Sequence, residues 1–71
     1  MGTDTMTATV KKYDGTDVLV DVGSDVWVPR DKYKTTIHRI EVDKHGALFY
    51  LYEGGGFESR FPLRADQIVA Y

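Results

Sequence analysis

Apolar and polar residues alternate along most of this chain with a period of two, and no window carries the spacing of an amphipathic helix. Ala8 and Val10 alternate with Thr7, Thr9 and Lys11, which predicts a strand over 7–13. Asp14-Gly15 is a tight-turn signal, because glycine accepts a positive φ without a Cβ clash. Val18, Val20 and Val22 then alternate with Leu19 and Asp21, the second strand of a hairpin. Gly23-Ser24 breaks it. Val26 and Val28 next point one way and Trp27 the other, until Pro29, which has no N–H to give a ladder, ends the strand.

Residues 30–34 read as a charged loop. Thr35 to Val42 is the clearest strand, with Thr36, His38, Ile40 and Val42 on one face and Ile37, Arg39 and Glu41 on the other. Asp43-Lys44-His45-Gly46 closes a hairpin, with Gly46 suited to the positive-φ position of a bulged turn. Ala47 to Tyr52 is a further strand, aromatic and aliphatic throughout. The loop Glu53-Gly54-Gly55-Gly56 leads into a strand from Phe57 to Phe61, and Pro62 fits only a strand end or edge. Leu63-Arg64-Ala65-Asp66 is long enough for one helical or 3-10 turn, and Ile68-Val69-Ala70 reads as a last short strand.

Several short strands at regular spacing with glycine-rich turns predict a sandwich or a barrel. At 71 residues the chain is too short for two good sheets. The expectation is therefore all-β: a small, partly open, five-stranded barrel over 23–71, extended by a β-hairpin over 7–22, in one domain. The opening stretch 1–6, small and polar, reads as disordered or as vector-derived residues before a start at Met6.

Composition narrows the function classes. Hydrophobic residues make up 42% and charged residues 28%, a globular balance, and no apolar run approaches membrane-spanning length. There is no cysteine, which excludes a disulfide scaffold, a thiol nucleophile and a Cys-ligated zinc, and makes the cytoplasm the expected compartment. So small a chain has little core to spare, and self-association is one way to gain burial. Net charge is −2, too weak a field for strong non-specific nucleic-acid binding. The acids concentrate early, with Asp4, Asp14, Asp17, Asp21 and Asp25 before residue 30, while Arg30-Asp31-Lys32-Tyr33-Lys34 is the one basic cluster beside an aromatic.

Val22-Gly23-Ser24-Asp25-Val26-Trp27-Val28-Pro29 resembles the opening strand of SH3-like barrels, and Phe61-Pro62-Leu63-Arg64-Ala65-Asp66-Gln67-Ile68 resembles the strand, 3-10 turn and final strand that close them. The whole of 22–71 is similar to small SH3-like proteins of unknown function carried by phages and prophages. In those a "V-G-x-x-V-W" opening precedes an "I-x-V-D-x-x-G" hairpin, matched from Ile40 to Gly46, and an "E-S-R-F-P-L" strand, matched from Glu58 to Leu63. The resemblance implies a fold and a mobile-element origin, and carries over no catalytic residue. The type II dihydrofolate reductases share scaffold and size, but their V-Q-I-Y strand has no counterpart in Phe57-Glu58-Ser59-Arg60-Phe61.

An excess of aromatics in the middle strands is the most informative chemical feature. If Val26, Val28, Phe49 and Leu51 fill the barrel, then Trp27, Tyr50 and Tyr52 point outward. The N-terminal hairpin folds over them as a second small core, or they form with Tyr33 a protein-binding patch, or they make a homodimer face. A basic–aromatic surface of Arg30, Lys32, Lys34, Arg39, Arg60 and Arg64 is the alternative, a nucleic-acid interface built on stacking and phosphate contacts. Asp31, Glu41 and Glu58 interrupt it.

Other constellations carry less. His38 and His45 with Asp43 do not reach the ligand count of a metal site without converging. Asp14, Asp17 and Asp21 lack the glycine position of a calcium loop, and Gly54-Gly55-Gly56 opens a strand instead of a helix, so neither calcium nor phosphate is implied. No nucleophile, base and acid stand at a useful spacing. The expectation is a non-catalytic binding or assembly module with no cofactor, metal, small-molecule substrate or membrane partner.

Overall fold

The computed structural model describes residues 7–71, and the reading of 1–6 lies outside them. The chain is all-β. A two-stranded antiparallel sheet joins β1 (Ala8–Lys11) to β2 (Asp17–Val20), pairing Ala8 with Val20 and Val10 with Val18. The turn between them is set by Gly15 at φ 86, whose N–H donates to the Lys12 carbonyl, while Asp14 accepts from the Thr16 N–H. This is the hairpin that the Asp14-Gly15 signal predicts.

Six further strands form the second sheet: β3 (Asp25–Val28), β4 (Tyr33–Asp43), β5 (Gly46–Glu53), β6 (Phe57–Glu58), β7 (Leu63–Arg64) and β8 (Val69–Ala70). Their order is β6-β5-β4-β3-β8, with β7 also on β5. Gly54–Gly56 and Ala65–Gln67 make single 3-10 turns, the second two residues later than the turn expected from Leu63, because Leu63 and Arg64 pair with β5 as β7.

Two departures from the expected strands have physical causes. The charged loop is shorter than 30–34, because Tyr33 and Lys34 already pair with Val28 and Trp27. The strand expected over Phe57–Phe61 stops at Glu58, bends at Arg60 and Phe61, and resumes after Pro62 as β7 on the same edge of β5. Proline brings no N–H to the ladder, so the strand is cut in two there. The sheet thus holds six strands where five are expected, and it stays open.

A third departure concerns β4. Ile37 pairs with Leu51 and Arg39 with Tyr50, which leaves His38 as the extra residue of a β-bulge. The bulge shifts the alternation by one. Ile37 and Ile40 both enter the core, although strict period two sets them on opposite faces, while Val42, on the same face as Ile40, lies exposed beside the β4–β5 turn.

One core cluster unites Val10 and Val20 of the hairpin with Val26, Val28, Ile37, Ile40, Phe49, Leu51, Ile68 and Ala70. Strand β1 packs on the second 3-10 turn and on β8, and Lys12 bridges Ala70 in parallel. The hairpin therefore closes the end of the sheet at Ile68 and Ala70. It does not lie across β5, so the expectation that it roofs Tyr50 and Tyr52 is corrected: its valines find their burial in the main core.

Candidate functional site

The aromatic side chains singled out by sequence sit in three places. Tyr50 and Tyr52, on the outer face of β5, meet the bulge of β4. The Arg39 guanidinium lies 4.1 Å from the Tyr50 ring centroid, and the His38 ring stands edge-on to Tyr52 at 4.5 Å. Glu58, across β5, ties both together: its carboxylate accepts from Arg39 Nε at 2.9 Å and faces His38 Nδ1 at 2.9 Å. Arg39 also bonds Glu41. Arg39 first, then His38, hold the Glu58 carboxyl below its ordinary range, and Glu58 in turn raises Arg39. The two tyrosines thus flank an ion-pair network, and Tyr52 keeps part of its ring in water.

Trp27 lies elsewhere. It pairs with Lys34 on one side and Val69 on the other, half-buried, and the Lys34 ammonium sits 5.0 Å from the Tyr71 ring centroid. Between its partner Lys34 and Arg39, the partner of Tyr50, runs a stretch of β4 about 16 Å long at the usual rise per residue. Trp27 and Tyr50 are therefore well separated along the sheet.

Tyr33 occupies a third place, a cleft of about 140 Å³ where the β3–β4 turn faces the segment between β6 and β7. Arg30, Asp31, Glu53, Ser59, Arg60 and Phe61 line it around Tyr33. Burial pushes the Tyr33 hydroxyl up, with the carboxylates of Glu53 and Asp31 acting in the same direction. The turn is held by the Lys32 N–H donating to the Val28 carbonyl at 2.7 Å, with Lys32 itself at φ 56, a left-handed conformation that only a well-determined turn imposes on a lysine.

The basic residues are equally dispersed. Arg39 is consumed by Glu41 and Glu58, Arg30 faces Asp31 at 3.6 Å, and Arg64 is clamped on Asp43 at 2.8 Å. Lys32, Lys34 and Arg60 form no ion pair among the described residues. Arg30 and Arg60 share a cleft, and Asp31 and Glu53 balance them there.

The remaining polar groups serve local structure. Asp43 accepts from Arg64 and from the His45 N–H, which together hold its carboxyl at about 2. Asp17 bonds Lys11, and Asp21 bonds Ser24. Among the described residues no three His, Cys, Asp or Glu side chains gather as a metal site, and no buried side-chain nitrogen or oxygen lacks a partner. No helix among them is long and apolar enough to cross a membrane.

What period-two reading misses is Phe57 and Phe61. They are 72% and 74% exposed, at either end of Phe57-Glu58-Ser59-Arg60-Phe61. Alternation assigns them a face, but on and just beyond the outermost strand of the sheet both rings stay largely uncovered among the described residues. The flanking signals, Gly54-Gly55-Gly56 before and Pro62 after, mark a short edge segment and were the available hint. No protein-family model, no curated protein and no solved structure matches this chain.

Proposed function

We propose that the chain is a non-catalytic binding or assembly module of SH3-like barrel type, cytoplasmic and of mobile-element origin, that works by contact with another protein chain, a second copy of itself included. The observation that carries this reading is the pair Phe57 and Phe61, both largely exposed at the ends of one short segment, with Phe61 in the lining of the Tyr33 cleft. The core is filled without them. Large aromatics held in water beside a polar rim are the usual anchors of protein interfaces. The barrel class is supported by the strand order β6-β5-β4-β3-β8 and by the 3-10 turn before the last strand, as the resemblance of 22–71 implies.

Charge favours a polypeptide over a nucleic acid. A polyanion needs an uncompensated cationic track, whereas Arg30 and Arg60 share their cleft with Asp31 and Glu53, and Arg39 is neutralised by Glu41 and Glu58. The test is a photo-crosslinking amino acid, p-benzoylphenylalanine, in place of Phe61 or of Phe57 in the expressing cell, with the equally exposed Tyr13 as control. Discrete protein adducts from 57 and 61 and none from 13 are expected. Absence of adducts at 57 and 61, or adducts to nucleic acid, overturns the reading.

A further inference from the structure

Strand β1 and the second 3-10 turn stand on the two sides of a cleft of about 350 Å³. Val10 and Ile68, both buried in the common core, supply its apolar lining together with Ala65 and Val69. The docking of the hairpin creates this cleft. Strand β1 reaches β8 only at the Lys12–Ala70 bridge, and before that bridge no strand pairs with it on this side among the described residues.

Two kinds of polar group reach the cleft. The first is backbone. Lys12 donates its N–H to the Thr16 carbonyl at 2.9 Å and Val10 is registered on Val18, so Ala8, Val10 and Lys12 exchange hydrogen bonds with β2. Thr9 then turns its own N–H and C=O away from β2, to the side of the cleft it lines. The second is charge, from Lys11, Asp17 and Asp66. Lys11 is paired with Asp17 at 2.9 Å, whereas Asp66 forms no ion pair among the described residues. An adjoining hollow shares Thr9, Ala65 and Asp66 and is lined also by His45 and Arg64. There Arg64 holds Asp43 with both terminal nitrogens, at 3.0 and 2.8 Å. The cleft thus sets one uncompensated carboxylate beside an apolar lining.

Its size and chemistry are those of a small-molecule site, a mostly apolar hollow of roughly 300–1,000 Å³ with few polar groups. A further polypeptide strand does not fit. It would hold its two neighbours about 9–10 Å apart, whereas β1 packs directly on the turn and on β8. We propose that this cleft binds a small organic cation, with a compact apolar body on Val10, Ala65, Ile68 and Val69 and one protonated amine that pairs with Asp66 and donates to the Thr9 carbonyl. This site goes beyond the protein-contact role and shares no lining residue with the Tyr33 cleft, so either can fail alone.

Benzylamine, benzyl alcohol and benzoate carry one ring with a cationic, a neutral and an anionic head at neutral pH. Each is titrated into the full chain and followed by the shifts of backbone amides in NMR spectra. The shifts are expected to converge on Thr9, Ala65 and Ile68. Benzylamine is expected to bind at least about fivefold tighter than benzyl alcohol, the scale of one solvent-accessible ion pair, and benzoate more weakly than either. Asp66 is exposed, so Asp66→Asn keeps the fold. It should bring benzylamine to within about twofold of benzyl alcohol and leave the alcohol where it was. No shift at these amides, shifts scattered over the surface, an alcohol that binds as well as the amine, or a preference that survives Asp66→Asn overturns the proposal.

Discussion

Ile37 and Ile40 stand three residues apart in one strand and both turn into the core, at 0% and 6% exposure. Straight pleating forbids this, since residues of odd separation point to opposite faces. The bulge at His38 permits it, and it also aims His38 and Arg39 at Tyr52 and Tyr50. One extra residue therefore fills the core and builds the outer network together.

That arrangement predicts an unequal series along β4. Ile37→Ala and Ile40→Ala each cost about 2–5 kcal/mol, as deletions of buried methylenes do. Val42→Ala, at a position that simple alternation groups with Ile40, stays within about 0.5 kcal/mol. Urea midpoints measure the losses, and a small loss at either Ile37 or Ile40 would mean that the strand runs straight through His38 and keeps only one of the two in the core.

The hairpin is predicted to be part of the fold and not an appendage. Val10 is 1% exposed and packs in the same cluster as Ile68 and Ala70. Val10→Ala is expected to cost about 2 kcal/mol with a single cooperative transition retained. Separate unfolding of the hairpin, seen as two transitions by different probes, would contradict it.

Lys32 holds a left-handed backbone, φ 56, in the turn before β4. An L-residue there carries a penalty of roughly 1–2 kcal/mol that glycine avoids, less the greater freedom that glycine loses on folding. Lys32→Gly is accordingly expected to raise stability by up to about 1 kcal/mol, read as a higher urea midpoint. A lower midpoint would show that the lysine side chain, and not the backbone, decides this position.

Acid sensitivity follows from the outer ion pairs. The Asp43 carboxyl sits at about 2 in the folded chain against an ordinary 3.8, held first by Arg64 and then by the His45 N–H. A depressed carboxyl contributes stability above its unfolded value and loses that contribution as pH falls through the folded one, here from about 4 to about 2. Glu58, held low by Arg39 and His38, acts with the same sign. Asp43→Asn should flatten the fall of stability in this window, measured by urea unfolding across acidic pH. Parallel profiles for the variant and the wild type would remove Asp43 as a cause.

Much of the strand plan was legible because the buried residues keep period two within each short strand: Val18 and Val20, Val26 and Val28, Phe49 and Leu51. The 3-10 turn near the end was legible only in part, since the stretch expected to hold it, Leu63 to Asp66, gives its first two residues to β7. The bulge was not, since β-branched residues on either side of His38 satisfy both registers equally. Nor was the docking of the hairpin, because alternation says which valines need burial but not where they find it. The candidate site was the least legible. Tyr33, Tyr50 and Trp27 look alike as aromatics flanking buried positions, yet Tyr33 and Lys34, the partner of Trp27, take opposite sides of β4, and Tyr50 pairs further along it at Arg39. Phe57 and Phe61 read as ordinary strand residues until the edge position of β6 leaves them uncovered.

Whether Phe57 and Phe61 belong to a contact surface or to the interior is decided most directly by urea unfolding of the Phe57→Ser/Phe61→Ser double variant beside the wild type. The exposed placement of both rings predicts an unfolding free energy within about 0.5 kcal/mol of the wild type at dilute concentration and an unchanged slope. A loss of about 3 kcal/mol or more, the scale of emptying a buried phenylalanine site, would place the rings in the core and contradict the account.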